Sequence, residues 1–234
     1  MSQSLAKDFN FRSLLKFAFP SIIMMIFMSL YSIVDGFFIA QYVDSMALSA
    51  ANIVYPAVSI LLAVGIMFGT GGSAFVAAKI GQGKQEEANR NFSALTLTTL
   101  IIGILGAVLG NLFCRQICSL LGATPVLMDY GTAYLRTILS FAPVCLLQAL
   151  FQSFFVTAGR PGLGLSLTVS AGITNMLLDY LFVVPFHLGV AGAALATGLG
   201  QCIPAVAGIL YFTFARKGLR FTLSLIHISE PTRP

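Results

Sequence analysis

FPSIIMMIFMSLYSIVDGFFIAQY, residues 19–42, runs for 24 residues with one charge in it, Asp35. A helix rising 1.5 Å per residue crosses the roughly 30 Å hydrocarbon layer of a bilayer in about 20 residues. The stretch therefore reads as a transmembrane helix that carries an acid. NMLLDYLFV, residues 175–183, repeats the arrangement with Asp179 inside another apolar run, and no Lys or Arg shares the interior of either run. An ionised carboxylate in the hydrocarbon layer costs roughly 2.5–3.5 kcal/mol on insertion scales. Each acid needs a proton, a cation or a hydrogen-bond network to compensate it. Such residues point to an ion-coupled site within a membrane transporter.

Composition agrees. Hydrophobic residues make up 57% of the 234-residue chain and charged residues 9%, against about 25% charge in a soluble domain. The mean hydropathy is +0.91. The formal charge of +5 comes from basic residues in short runs between apolar segments. They form no continuous basic face to follow a phosphate backbone, so nucleic acid is not an expected partner.

Six apolar spans fit, at about 14–40, 51–78, 92–114, 131–157, 163–185 and 190–214. The fold class expected is all-α, a six-helix transmembrane bundle over 14–222, after a short N-terminal segment at 1–13. The breaks have causes. Asp44 punctuates the first. KIGQGKQEEANRN (79–91) brings two glycines and five charges to the second. Gly122 and Pro125 mark the third, and GRPGLG (159–164) the fourth. The apolar run from Phe17 to Ala40 is preceded by Lys7, Arg12 and Lys16 but is too long for a signal-peptide core of 7–15 residues. It reads as an uncleaved helix.

Orientation follows from Lys and Arg. Lys7, Arg12, Lys16, Lys79, Lys84, Arg90, Arg160, Arg216, Lys217 and Arg220 fall on one side of the six spans, and Arg115 and Arg136 on the other. Ten against two places both ends of the block in the cytoplasm. Pro20, Pro56, Pro143 and Pro204 lie inside spans. Each removes a backbone hydrogen bond and favours a kink.

Asp35 lies several residues short of the outer end of span one, Asp179 short of the outer end of span five, and Thr197 past the outer start of span six. At 1.5 Å per residue all three sit roughly 10 Å below the outer rim. They can meet in one layer. Asn175 and Asp179 are four apart and share a helix face. Carboxylate, amide oxygen and hydroxyl make an oxygen set suited to Na⁺. The same set suits a proton shared between two acids that cannot both ionise cheaply. The competing reading for the acids is solvation at the interface. Tyr134, near the outer start of span four, is either an interfacial aromatic anchor or a phenol that bonds the acidic cluster.

Enzymatic chemistry is not expected. No P-loop occurs, and His187 and His227 form no metal or triad constellation. Cys114, Cys118, Cys145 and Cys202 lack the partners of a metal set and read as small apolar filler. No cofactor is expected beyond a coupling ion. The last stretch, LSLIHISEPTRP (223–234), looks like the in-frame translation of a sequencing-library adapter. It is set aside as non-native, which implies that the natural frame was cut near Thr222.

Taken together, FPSIIMMIFMSLYSIVDGFFIAQY (19–42), GQGKQEEANR (81–90), TAGRP (157–161), NMLLDYLFV (175–183) and GVAGAALATGLGQ (189–201) resemble the multidrug and toxic compound extrusion (MATE) family over residues 10–220. The resemblance implies the first six of twelve helices, that is, one lobe. It implies an antiporter that exports organic cations against Na⁺ or H⁺ by alternating access, in a bacterial cytoplasmic membrane. It assigns Asp35, Asn175, Asp179, Thr197 and Tyr134 to a cation or proton site in this lobe, and Pro20 to bending of helix one. The missing carboxy-terminal lobe would supply the other wall of the substrate cavity. The alternatives are a lipid-linked saccharide flippase of the same superfamily, and an inert membrane fragment. A flippase should carry cationic residues in its cavity, and only Arg136 lies in a span.

Overall fold

The computed structural model describes residues 11–215 and 218–222. The N-terminal residues through Asn10, Arg216 and Lys217, and the expected tail from Leu223 lie outside the described residues. The described chain is a bundle of eight helices in the order α1 (Phe11–Tyr42), α2 (Ser45–Gly81), α3 (Gln85–Leu112), α4 (Cys114–Leu120), α5 (Pro125–Ser140), α6 (Ala142–Thr157), α7 (Pro161–Val183) and α8 (Gly189–Phe214). Five of these are long and apolar enough to cross a membrane, and six spans result if the bent pair α5 and α6 counts as one. The chain is thus a multi-pass membrane protein, and each of the six expected spans has its counterpart.

The turns form where the sequence supplies the chemistry. Asp44, in extended conformation, accepts a hydrogen bond from the Met46 backbone N–H and caps α2. Gly159 adopts φ +71° at the end of α6. That conformation lets its N–H reach Val156 O and the Arg160 N–H reach Phe155 O. Pro161 then starts α7, where its missing N–H costs nothing.

Proline does not act uniformly. Helices α2 and α8 run through Pro56 and Pro204 without interruption. The fourth span departs from the expected single helix 131–157. It breaks at Phe141 into α5 and α6, which meet at 55°. Pro143 cannot donate to the carbonyl four residues back, and the Phe141 N–H instead closes a tight turn onto Ile138 O at 3.1 Å. The broken segment is seated in two glycine notches. A Cβ on Gly103 of α3 would strike Pro143, and one on Gly198 of α8 would fall within the Phe141 ring. Small residues are the usual means of close helix approach in lipid, where no hydrophobic force drives association.

Two apolar clusters fill the bundle, one at each end. At the end that carries Lys79, Lys84 and Arg160, Phe92, Phe151, Phe154, Phe155 and Phe212 are buried together. Phe92 is the hub, with ring centroids 4.6 Å from Phe154, 4.7 Å from Phe212 and 4.9 Å from Phe221. At the opposite end Ile39, Val54, Leu135, Ile138, Val183 and Val190 pack with Cys114 and Cys118.

The chain beyond α8 turns back along α3. Three polar residues spaced four apart on α3 meet alternate residues of this strap. Gln85 Nε2 donates to Gly218 O at 3.1 Å, the Arg220 N–H donates to Asn89 Oδ1 at 3.1 Å, and the Thr222 N–H donates to Ser93 Oγ at 2.9 Å. Phe221 stacks on Phe92 between them.

Candidate functional site

Between the two apolar clusters lies a polar layer built by α1, α6, α7 and α8. Helix α7 packs on both α1 and α8. Its buried face carries Thr168, Asn175 and Asp179, with Gly164 and Gly172 where a neighbour comes close. The interval of three to four residues keeps these positions on one face.

Asp179 is wholly buried. Its carboxyl group and that of Asp35 on α1 lie close enough to interact directly. The contact is not a well-formed hydrogen bond, because both Asp179 oxygens and Asp35 Oδ1 are buried without a hydrogen-bond partner among the described residues. Neither acid forms an ion pair there; the two salt bridges among the described residues, Lys79–Glu87 and Lys84–Glu87, lie where α2 turns into α3.

One turn before Asp179, Asn175 Nδ2 donates to Thr197 Oγ1 of α8 at 3.3 Å. Donating through nitrogen leaves Asn175 Oδ1 free, and it too is buried without a partner. Helices α7 and α8 come this close because Gly200 has no side chain. A Cβ there would lie 2.9 Å from Ala171 O and 3.1 Å from Asn175 Cβ.

A cavity opens beside Asn175 and Thr197, lined also by Gln148, Thr168, Gln201 and Pro204. About 20 Å³ of it is open to the centre of a water-sized particle, enough for roughly one water or a small cation. Gln201 lies one turn beyond Thr197 on α8, and its Oε1 is a further buried oxygen without a partner. Pro204 cannot donate to the Gly200 carbonyl, so that oxygen loses its helical partner as well.

The structure therefore brings together Asp35, Asn175, Asp179 and Thr197. Tyr134 is buried in the adjoining cluster with Ile39 and Val183, each one helical turn beyond Asp35 and Asp179. Pro20 falls within α1, and its side chain lies outside the described residues. Sequence reasoning passed over Gln148, Thr168 and Gln201. An amide inside an apolar run was the available signal for both glutamines. Among the described residues, all but one of the buried side-chain oxygens lacking a partner, the exception being Thr99 Oγ1, belong to this layer. Unpartnered oxygens are costly in a dry interior. Gathered in one place, they form an acceptor-rich site that favours a cation or a proton. No group of three His, Cys, Asp or Glu able to hold a transition metal occurs among the described residues.

Comparison with known proteins follows the same lines. The family model described as MatE matches residues 20–181. The multidrug export protein MepA of Staphylococcus saprophyticus is 27% identical over 97% of this chain and 50% of its own length. The MepA protein of Staphylococcus haemolyticus is 27% identical over 95% of this chain and 49% of its own. The chain thus spans about half the length of the curated relatives it matches. Among solved structures, a MATE protein in its bent conformation superimposes with a TM-score of 0.82 at 21% identity, over 94% of this chain and 48% of that one. The straight conformation gives 0.83 at 21% identity, over 89% and 46%. At that identity the likeness speaks for the fold.

Proposed function

Given that this chain belongs to the MatE family, we propose that it forms the amino-terminal lobe of a multidrug exporter coupled to inward Na⁺ or H⁺, and that the exported compounds are mainly organic cations. The observation that carries this reading is the cluster of buried, unpartnered oxygens from Asp35, Asn175, Asp179 and Gln201 on three adjacent helices. A site rich in acceptors and free of protein cations suits exchange of a monovalent cation or a proton. The coupling ion is here a transported substrate.

In this reading Asp179 and Asp35 supply the negative charge. Asn175 and Thr197 supply neutral oxygens, and their mutual bond fixes both side chains. Tyr134 closes the site from the adjoining cluster. When the site holds no cation, the acids share a proton. When it holds one, the carboxylates are compensated and the helices draw together. Alternating access then couples the two states to opposite openings of the cavity. Bending of α1 at Pro20 is part of that reading. The end of the bundle that carries Lys79, Lys84, Arg90 and Arg160 faces the cytoplasm of a bacterial cell by the positive-inside rule. The second lobe supplies the other wall of the cavity. Ordinary enzymatic catalysis has no part in it.

The flippase alternative is less well supported. Arg136, the one cationic residue within the fourth span, is exposed rather than directed into the polar layer.

The test is export of ethidium from proteoliposomes that hold the complete two-lobed protein, driven in turn by a Na⁺ gradient and by a pH gradient. Ethidium efflux accelerated by one gradient supports the reading. Efflux indifferent to both, with ethidium or with other organic cations, removes it.

A further inference from the structure

We infer that Phe27 and Gly172 set the register of α1 on α7, and so act as positioning residues that hold Asp35 against Asp179. This rests on the reading of the acid pair as the coupling site.

Two carboxyl groups have no intrinsic reason to approach unless a proton or cation lies between them. Neither Asp179 oxygen has a hydrogen-bond partner among the described residues. A shared proton compensates the pair but does not set the level of two helices, which depends on packing elsewhere on the seam between them.

Among the described residues the seam offers one contact of the required kind. The three atoms nearest to a Cβ built on Gly172 all belong to the Phe27 ring, and the closest would overlap it. The ring occupies the space that any side chain at 172 would need. It is a knob on α1 seated in a notch on α7.

The spacing then does the rest. Helices α1 and α7 run in the same direction through the bundle. Asp35 follows Phe27 by eight residues, and Asp179 follows Gly172 by seven. At 1.5 Å per residue these are roughly 12 Å and 10.5 Å along nearly parallel axes. Once the knob is seated, the acids arrive at the same level. Beyond them the Phe38 and Tyr180 rings meet edge to face at 6.5 Å, so the acids lie between two contacts. Of these two, the one at Gly172 excludes a side chain.

The other groups around the pair do not substitute for this lock. Helix α8 brings Thr197 and Gln201, which are uncharged. Tyr134 of α5 belongs to the adjoining cluster. Tyr180 follows Asp179 on α7 and turns its ring to Phe38; among the described residues, the group that each acid interacts with is the other acid.

The test compares Gly172→Ala, Phe27→Leu and the double variant with wild type in the complete transporter in proteoliposomes. The readout is the concentration of the driving cation, Na⁺ or H⁺, that gives half-maximal ethidium export. Gly172→Ala fills the notch and should raise that concentration about tenfold, with maximal export retained at saturating cation. Adding Phe27→Leu shortens the knob and should restore the wild-type value. A wild-type half-saturation value in Gly172→Ala, or a double variant no better than the single, overturns the proposal. If Gly172→Ala does not reach the membrane, Phe27→Leu alone serves: it loosens the knob and should shift half-saturation upward, and an unchanged value overturns the proposal. Asp179→Asn in parallel separates the two levels. Coupled export by Asp179→Asn removes the coupling-site reading itself, whereas its loss beside an unaltered Gly172→Ala removes only the register lock.

Discussion

Asn175 donates from Nδ2 to Thr197 Oγ1 at 3.3 Å, and this bond ties α7 to α8 one turn from the buried carboxyl of Asp179. It also decides which atom of the amide is left over. Nitrogen is used in the bond, and the carbonyl oxygen remains to face the acceptor-rich layer.

Thr197→Val keeps the volume of the side chain and removes its oxygen. We expect the half-saturating cation concentration to rise about fivefold, the equivalent of the roughly 1 kcal/mol that one such hydrogen bond contributes. Thr197→Ser should keep the wild-type value. Titration of ethidium export against the driving cation checks both.

Asp35→Asn removes one of the two negative charges while preserving shape. Export should persist with a weakened dependence on the driving cation. A variant whose Na⁺ and pH response matches wild type would remove Asp35 from the site.

The strap beyond α8 makes a prediction about stability. Asn89→Ala leaves the Arg220 N–H without its acceptor, and Ser93→Ala does the same to the Thr222 N–H. Each should destabilise by about 1–3 kcal/mol, read as a lower midpoint of thermal unfolding in detergent. Amide exchange at 218–222 should quicken in both variants. Unchanged exchange would mean that these bonds do not hold the strap.

Phe92→Ala removes the ring shared by Phe151, Phe154, Phe212 and Phe221. A loss of about 3–5 kcal/mol is expected for a cavity of that size. Phe92→Leu should recover much of it. Thermal unfolding of the purified protein in one detergent distinguishes the two.

Much of the architecture was legible because the bilayer constrains it so strongly. Charge and glycine mark every boundary, from Asp44 to the GRPGLG turn, and a depth count alone brought Asp35, Asp179 and Thr197 to one level. What depends on contact between helices was not legible. The break at Phe141 needed more than Pro143, since Pro56 and Pro204 sit in uninterrupted helices; it needed the Gly103 and Gly198 notches on neighbouring helices. Gln85, Asn89 and Ser93 display their four-residue spacing openly, yet their partner is a strap more than 120 residues away in sequence. Gln148 and Gln201 were visible as amides in apolar runs, but only packing brings both to the cavity beside Asn175.

Export by Asp179→Asn tests the central claim most directly. The substitution preserves the shape of a wholly buried side chain and removes its charge. In proteoliposomes that contain the complete transporter, the variant should reach the membrane in normal amount and should no longer export ethidium in response to either a Na⁺ or a pH gradient. Gradient-driven export at the wild-type rate would contradict the account, because a lobe that couples without Asp179 does not use this polar layer as its cation site.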